Sequence, residues 1–262
     1  MLTRHAITRR ADDDGVDAAV AERDDVLAHI VAQLHRAEMG DGKQLVFKGG
    51  TAMRFVHLDE YRYSADLDFT VLGGSEDDSV AALAMVIAAA REHAGFPHLE
   101  LVTGNPPSIQ YVGPLGATEP RKIKLDVADD EYVESVAQLT IRDVWDDLPE
   151  PTPFDVFPLE EIAAEKLRCI IQRVQCRDLY DLFRLTEDLD VSPAEIRPLF
   201  ERKAEAKSLD PTAFPERFED RLGKYKTRWD DEMTQHLADP PRFDGVVRVV
   251  RRHLRGGGYL DS

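Results

Sequence analysis

The sequence predicts an α+β fold in which a mixed sheet with helices, over about residues 1–150, precedes a helical bundle over 151–262. In the first part, short runs of alternating apolar and polar residues are interspersed with runs of helical spacing. From residue 159 onward, every segment has helical spacing. Between the two patterns, the prolines from Pro149 to Pro158 indicate a stiff connector, so we predict two successive layers of different composition.

The individual elements follow from the spacing of apolar residues in each segment. Val20, Leu27 and Ile30 recur at helical intervals and predict an amphipathic helix over 17–39. The remaining patterns of the first part predict helices at 51–58 and 75–94 and strands at 45–48, 66–72, 98–103, 108–112, 121–128 and 136–141. The second part is predicted to form helices at 159–175, 177–189, 193–206, 213–236 and 242–254.

Charge and composition exclude several classes of protein. The formal net charge is −17, of which −15 falls within the first 159 residues, and this argues against indiscriminate nucleic-acid binding, so no DNA partner is expected. The longest apolar run, 81–90, is too short to span a bilayer, and the N-terminus lacks the apolar stretch of a secretory signal, so no membrane association is expected. Cys169 and Cys176 have neither disulfide-framework nor zinc spacing, which suits a reducing cytoplasm.

Three aspartates on two predicted strands form the first candidate site. Asp66 and Asp68 are two residues apart on one strand, so their side chains point to one face. Asp126 alternates with core-facing Leu125 on a second strand, and a neighbouring position in the sheet would bring it beside the other two. Adjacent carboxylates repel one another unless a cation lies between them, and hard oxygen ligands suit Mg²⁺ or Mn²⁺. We predict a metal site that polarises a phosphoryl group and activates an attacking hydroxyl. If the aspartate pair stood alone, a strand end that faces solvent would be the simpler interpretation.

A Gly-Gly turn precedes these strands at the predicted start of a helix. Gly49, Gly50 and Thr51 would leave backbone N–H groups free to hold the phosphates of a nucleoside triphosphate (NTP). Lys48 and Arg62 are candidates for contacts to the triphosphate. A charge at the strand end explains Lys48 equally well, and the alternative for Arg62 is a surface ion pair. Combined with the aspartates, the turn indicates a protein that handles NTPs.

These residues resemble the AbiEii-type nucleotidyltransferase toxins, which include the MenT-like toxins of toxin–antitoxin systems. The resemblance rests on KGGTA at 48–52, RYSADLD at 62–68, KLD at 124–126 and LEEIAAEKLRCIIQRVQCRDLYDLFRL at 159–185. Each motif is weak alone, and together they are specific for the family. The resemblance implies a DNA polymerase β-like nucleotidyltransferase core followed by a helical bundle.

The resemblance also implies roles for residues of the second part and for a serine of the first. Lys166 matches the lysine that neutralises the triphosphate, and Asp178 matches the acidic position of the family motif; an interhelical salt-bridge network is the alternative for both. Some family members carry a serine at the position of Ser64. A phosphate there would place negative charge among the carboxylates, so Ser64 is a candidate for nucleotide binding and for regulation, or else a turn hydroxyl.

The implied function is transfer of a nucleoside monophosphate from an NTP to the 3′ end of tRNA, which blocks aminoacylation and growth, with a cognate antitoxin as partner. Two alternatives stay open. An acidic protein suits a cationic aminoglycoside as acceptor better than tRNA, as in the small-molecule nucleotidyltransferases. The third class is a non-catalytic module that binds RNA or protein.

An acidic protein that binds tRNA must do so through a local basic surface. Basic residues cluster within residues 160–262, where the net charge is only −2. The candidate RNA contacts are Arg173, Lys224, Lys226, Arg228 and the segment 248–255 with its four arginines. For any one cluster alone, a solvated helix face is the simpler interpretation.

Overall fold

The computed structural model describes residues 2–261, and their contacts divide the chain into two compact units. The first unit comprises Met1–Asp129 with Val136–Phe157, and the second comprises Asp130–Ser135 with Pro158–Ser262. By contacts the chain therefore divides after Phe157, seven residues beyond the predicted division at 150, and Asp130–Ser135 joins the helical unit.

The first unit combines four α-helices with a seven-stranded mixed sheet. The helices are α1 (Arg4–Asp14), α2 (Ala18–Val31), α3 (Gly49–Ala52, continued by a π-helical turn at Met53–His57) and α4 (Glu76–Ala94). The strands are β1 (Gln44–Lys48), β2 (Asp66–Leu72), β3 (His98–Val102), β4 (Ser108–Val112), β5 (Arg121–Ala128), β6 (Ala137–Leu139) and β7 (Phe154–Val156). Their order in the sheet is β3-β4-β5-β2-β1-β7-β6, with β2 antiparallel to β1 and parallel to β5. The mixed sheet with helices confirms the predicted α+β class.

Alternation of burial along the central strands places a core on one side of the sheet. Leu67 and Phe69 of β2 are fully buried, and Ile123 and Leu125 of β5 are buried beside them. The alternate residues of β5 are exposed, as the sequence pattern predicted. Burying these side chains contributes roughly 1.5–3 kcal/mol each, which fixes the register that carries the aspartates.

Two elements of the first unit were not predicted. Helix α1 buries only Ile7 and Ala11, one turn apart, so its apolar pattern is too sparse to signal a helix; Thr3 caps its start and Gly15, with φ 63°, ends it. Strand β7 lies within the proline-rich connector, where Phe154 and Val156 are buried and Phe47 pairs with Val156. A three-residue strand between prolines gives no periodic signal.

The second unit consists of five α-helices and the segment that joins it from residue 130. The helices are α5 (Leu159–Gln172), α6 (Cys176–Glu187), α7 (Pro193–Ala206), α8 (Phe214–Met233) and α9 (Phe243–Gly256). Helix α5 packs against α6 and α7, and α6 packs against α8 and α9. Glu161 of α5 is fully buried, accepts the backbone N–H groups of Glu134 and Ser135, and lies 2.7 Å from Lys203 Nζ. These contacts hold the 130–135 segment against α5 and α7.

The two cysteines lie on α5 and at the start of α6. Cys169 and Cys176 are buried and free. Within residues 2–261, no helix combines the length and the apolar character needed to cross a membrane.

Candidate active site

The three predicted metal-binding aspartates lie on one face of the sheet. Strands β2 and β5 are parallel, and their register pairs Asp68 with Asp126 and Asp66 with Lys124. Since residues paired in register share a face, as do residues two apart on one strand, all four side chains point to the same side. Buried Leu67 and Leu125 point to the other side. The sheet itself thus brings the carboxylates together.

Lys124 is a member of this cluster that the sequence interpretation missed. Its ammonium donates a hydrogen bond of 2.9 Å to Asp126 Oδ2. This hydrogen bond, with the negative charges of Asp126, Asp66 and Asp68, raises the pKa of Lys124 above its ordinary value. The signal was present in the sequence, because strand alternation puts residues 124 and 126 on one face.

The carboxylates fit a divalent cation, with one rearrangement. Within the described residues, the oxygens of Asp66, Asp68 and Asp126 are not gathered within 4.8 Å of one another, the spacing at which three ligands could meet a single ion. Asp126 is 55% exposed, so its side chain can turn toward the other two once Lys124 releases it. The side-by-side carboxylates supply the oxygen ligands that Mg²⁺ or Mn²⁺ takes in proteins.

The Gly-Gly turn lies directly against the second aspartate. Gly49 has φ +77°, a conformation that residues with a Cβ rarely adopt, and a Cβ at this position would overlap the carboxylate of Asp68. On the preceding strand, Lys48 pairs in register with Asp68. The turn therefore brings its backbone next to a predicted metal ligand, and only glycine leaves room for that approach.

The remaining predicted nucleotide contacts are packed behind the turn. Thr51 Oγ1 lies 2.9 Å from Ser64 Oγ and also contacts the carbonyl oxygen of Asp66. Arg62 is 1% exposed, donates to the carbonyl of Tyr63 at 3.2 Å, and would be overlapped by a Cβ on Gly50. These side chains support the turn, so a direct contact with a triphosphate requires local opening.

Accessibility also bears on the predicted roles of Ser64 and Lys48. Ser64 is 7% exposed, and a kinase would need this segment to open. Lys48 is buried to a similar degree, and its Nζ lies 5.8 Å from the ring of Phe157. Their contacts place both side chains at the turn, and their roles in nucleotide binding and regulation stay predictions.

A cavity of about 580 Å³ adjoins the third aspartate. Asp126 and Leu125 form one wall, the first turns of α4 form another, and Thr103 and Asn105 contribute polar groups from the connection between β3 and β4. No sequence pattern predicted this cavity, because its walls come from segments far apart in the chain.

In the second unit, Lys166 and Asp178 form a buried ion-pair network. Lys166 Nζ lies 3.0 Å from Asp178 Oδ1 and 2.7 Å from Asp181 Oδ2. Arg173 donates from Nε and Nη2 to the same Asp178 carboxylate, at 2.8 and 3.1 Å. Burial acts to raise the pKa of Asp178, but the charges of Lys166 and Arg173 and the hydrogen bond from Arg173 lower it on balance. The salt-bridge alternative weighed for these residues is thus present in the structure, and it fixes the ammonium of Lys166 between α5 and α6.

The predicted RNA contacts differ in how far they are already engaged. Arg173 binds Asp178, Lys226 pairs with Asp244 at 3.0 Å, and Arg228 donates to the carbonyl of Val174 at 3.0 Å. Lys224 is exposed.

Helices α8 and α9 also form a basic groove of about 510 Å³. Lys226, Arg248, Arg251 and Arg255 line it together with apolar side chains. The three arginines follow one another at helical intervals on α9, which the sequence already indicated, whereas their pairing with α8 required the fold.

Comparison with known proteins identifies the family of these motifs. Residues 33–249 match the family model described as nucleotidyl transferase AbiEii toxin, type IV toxin–antitoxin system. Among solved structures, the chain is similar to MenT4, a nucleotidyltransferase toxin from Mycobacterium tuberculosis H37Rv. The two share 25% identity with a TM-score of 0.77, over 100% of this chain and 91% of that one.

Two further structural similarities are weak. An antigenic nucleotidyltransferase-like protein from Paracoccidioides brasiliensis is 15% identical with a TM-score of 0.41, over 81% of this chain and 94% of that one. The CdnE cyclic dinucleotide synthase of Elizabethkingia meningoseptica is 14% identical with a TM-score of 0.24, over 91% and 93%. Neither supports any conclusion about this chain. No curated protein sequence matches it.

Proposed function

Since this chain belongs to the AbiEii family of nucleotidyltransferase toxins, we propose that it transfers a nucleoside monophosphate to the 3′ end of tRNA. The acceptor hydroxyl gives up its proton to water, and its oxygen forms a bond to the α-phosphorus of an NTP. The bond between the α-phosphorus and the oxygen that bridges to the β-phosphorus breaks, and pyrophosphate leaves with that oxygen and its electron pair. A tRNA modified in this way cannot be aminoacylated, which arrests growth. The observation that carries the proposal is the register that sets Asp68 beside Asp126, with Asp66 on the same face and Gly49 against Asp68.

Within this proposal, Asp66 and Asp68 bind Mg²⁺ or Mn²⁺ and Asp126 joins them after leaving Lys124. The family implies a divalent metal ion, which when bound would polarise the phosphoryl group and lower the pKa of the attacking hydroxyl. The protein's own contribution is to hold the carboxylates on adjacent strands. Catalysis of phosphoryl transfer depends mostly on such positioning and on charge neutralisation.

Gly49, Gly50 and Thr51 are proposed to cradle the triphosphate through their backbone N–H groups. Lys48 and Arg62, buried beside this turn, shape it and add positive charge near the phosphates. Ser64 supports Thr51 through the contact between their hydroxyl oxygens.

Lys166 and Asp178 of the second unit have proposed roles that rest on the family motif. The ammonium of Lys166 is proposed to neutralise the leaving pyrophosphate, and Asp178 is a positioning residue that holds the ammonium in place. The support is the family motif over 159–185 together with the buried ion pair.

The proposed acceptor surface is the basic groove of α8 and α9. Arg248, Arg251 and Arg255 present guanidinium groups at regular spacing, and Lys226 faces them. Arg173, Lys224 and Arg228 add positive charge on the same unit. Phosphate groups of RNA are the partners that such a surface binds.

Incubation of the protein with each labelled NTP, and with either total tRNA or an aminoglycoside, tests the proposal. We expect label to enter tRNA and to be released only by removal of the 3′ nucleotide. Incorporation into the aminoglycoside alone would establish the small-molecule function, which the net charge of −15 over residues 1–159 favours. Incorporation into neither would favour a non-catalytic module.

The matched variants are Asp68→Asn and Asp41→Asn. Asp41 lies in an exposed loop of the same unit and serves as the control for a lost carboxylate. A folded Asp68→Asn protein should lose more than about 100-fold in kcat/KM, whereas Asp41→Asn should keep wild-type activity. Equal activities would remove Asp68 from the reaction.

A further inference from the structure

A second cluster of titratable side chains lies in the first unit and shares no residue with the strand carboxylates. Asp25 and His29 stand one turn apart on α2, and Asp147 comes from the connection between β6 and β7. One ligand atom from each lies within 4.8 Å of the other two. The three residues therefore converge although they come from segments more than 100 residues apart.

Burial makes this convergence costly without a further partner. Asp25 and His29 are 0% exposed, and neither carboxylate oxygen of Asp25 and neither ring nitrogen of His29 has a hydrogen-bond partner among the described residues. The ring of Phe96 packs edge-on against His29 at 5.4 Å, so the surroundings are partly apolar. A buried polar group without a hydrogen bond destabilises the folded protein, and a buried charge does so more strongly.

Neighbouring acids on the same helix are compensated in a way that Asp25 is not. Asp24 accepts hydrogen bonds from Nε and Nη2 of Arg54 at 2.5 and 2.8 Å. Glu22 accepts from Arg121 at 2.6 Å. Among residues 2–261, no lysine or arginine forms an ion pair with Asp25. Within the described part of the chain, the buried Asp25 carboxyl group thus lacks the arginine partner that both of these neighbours have.

The spacing of the ligand atoms suits a small transition-metal ion. His29 Nε2 lies 3.6 Å from Asp25 Oδ1 and 3.3 Å from Asp147 Oδ1. A tetrahedral zinc ion with bonds of about 2.0–2.2 Å places neighbouring ligand atoms ~3.3–3.6 Å apart. An imidazole nitrogen in the set favours zinc over Mg²⁺ or Ca²⁺, which prefer oxygen ligands throughout.

We propose that Asp25, His29 and Asp147 bind one Zn²⁺ ion, with the fourth position open to water on the side where Asp147 is 25% exposed. The ion would link α2 to the segment that leads into β7. It stabilises the first unit and is separate from the divalent ion of the nucleotidyl-transfer site.

Metal analysis of the full-length protein tests this proposal. After dialysis against metal-free buffer, we expect wild-type protein loaded with zinc to retain one ion per chain. Removal of that ion with a chelator should lower the melting temperature, and added zinc should raise it again in step with the logarithm of the free zinc concentration. Substitution by Co²⁺ should give visible absorption bands of a low-coordinate cobalt site.

The decisive comparison is between Asp147→Asn and its neighbour Asp146→Asn, which changes an exposed carboxylate of the same segment. Asp147→Asn should weaken zinc binding by at least ~10-fold, whereas Asp146→Asn and Asp68→Asn should bind zinc as wild type does. His29→Gln should lose the cobalt bands. If that variant does not fold, the wild-type cobalt spectrum and the comparison of Asp147→Asn with Asp146→Asn decide. Wild-type protein that retains no zinc, or equal binding by the two neighbouring variants, would overturn the proposal, and protons would then neutralise the cluster.

Discussion

Gly49 shows at the scale of one residue how backbone conformation and site geometry are coupled. It combines φ +77° with a close approach to the Asp68 carboxylate. Gly49→Ala should destabilise the protein by about 1–2 kcal/mol through backbone strain, and the new methyl group should also displace Asp68. We therefore expect transfer activity to fall much further than the lost stability explains. Urea unfolding and kcat measured on the same preparation check both effects.

The matched control is Gly40→Ala. Gly40 has φ +82°, but a Cβ there would meet nothing within 4 Å. It should lose similar stability and keep its activity. If the two variants lose activity equally, strain alone is responsible and the contact with Asp68 has no catalytic importance.

Lys166 is a residue whose structural and catalytic roles must be separated. Without it, the buried carboxylates of Asp178 and Asp181 lose a cation, so Lys166→Ala should cost about 3–5 kcal/mol of unfolding free energy at pH 7. The pKa of Asp178 is lowered in the folded protein, so its stabilising contribution is present above the unfolded pKa of about 3.9 and is lost as pH falls through the folded value. Removing Lys166 raises that pKa, so the cost of Lys166→Ala should shrink as the pH falls toward and below this unfolded value.

Arg168→Ala is the comparison for this prediction. Arg168 lies on the same helix and is equally buried, but it donates to Gln172 at 2.6 Å, and its ion-pair partner Glu165, at 3.6 Å, is partly exposed. Denaturant unfolding between pH 3 and 7 should show a pH-dependent cost for Lys166→Ala and a smaller, flatter one for Arg168→Ala. At pH 7, folded Lys166→Ala should also be the less active enzyme. Equal activity losses would indicate general electrostatics rather than a specific lysine.

At the scale of elements, the pairing of β2 with β5 sets the charge balance of the site. Lys124 is an exposed cation on that face that donates to Asp126, and it would compete with a bound metal ion for this carboxylate. Lys124→Ala should therefore raise the affinity for Mn²⁺. The exposed ion pair is worth about 0.2–1 kcal/mol, which corresponds to an increase of up to about 5-fold. Calorimetric titration with Mn²⁺ measures the change.

Lys122→Ala serves as the matched substitution, since Lys122 is exposed on the same face of β5 and pairs in register with Gln110 rather than with an acid. Its Mn²⁺ affinity should change less than that of Lys124→Ala. A lower affinity in Lys124→Ala would mean that the lysine supports the site instead of competing for it.

Sequence periodicity predicted most elements because burial alternates cleanly in them. Strands β2, β4 and β5 have the predicted bounds, and so does α7. Elements with few buried residues were not predicted. Helix α1 and strand β7 each bury only two residues, which is too few to form a periodic pattern. The candidate aspartates were predictable because strand alternation fixes their faces. Asp25, His29 and Asp147 were not, since only tertiary packing brings α2 to the segment before β7.

At the scale of the whole molecule, acidic charge is concentrated in the first part of the chain and the second is nearly neutral. Many basic side chains of the second unit are already paired, such as Arg251 with Glu219 and Lys226 with Asp244. Lys224 and Arg248 are exposed, and no ion pair engages either of them within the described residues. If RNA binds this unit, these two residues should provide the strongest phosphate contacts, because no internal pair must first be broken.

Each true phosphate contact should reduce the salt slope of tRNA binding by roughly 1 when it is removed, because one fewer counterion is released on binding. We expect Lys224→Ala combined with Arg248→Ala to lower the slope of log K against log salt concentration by about 2, with NTP binding unchanged.

Arg251→Ala should change the slope less, since that guanidinium is paired with Glu219. Arg9→Ala, an exposed arginine of the acidic first unit, is the control and should leave the slope as it is. Filter binding over a series of salt concentrations measures all four slopes. An unchanged slope in the double variant would remove the α8–α9 surface from the acceptor site, whereas an equal fall in Arg9→Ala would show that tRNA responds to net charge and not to a defined groove.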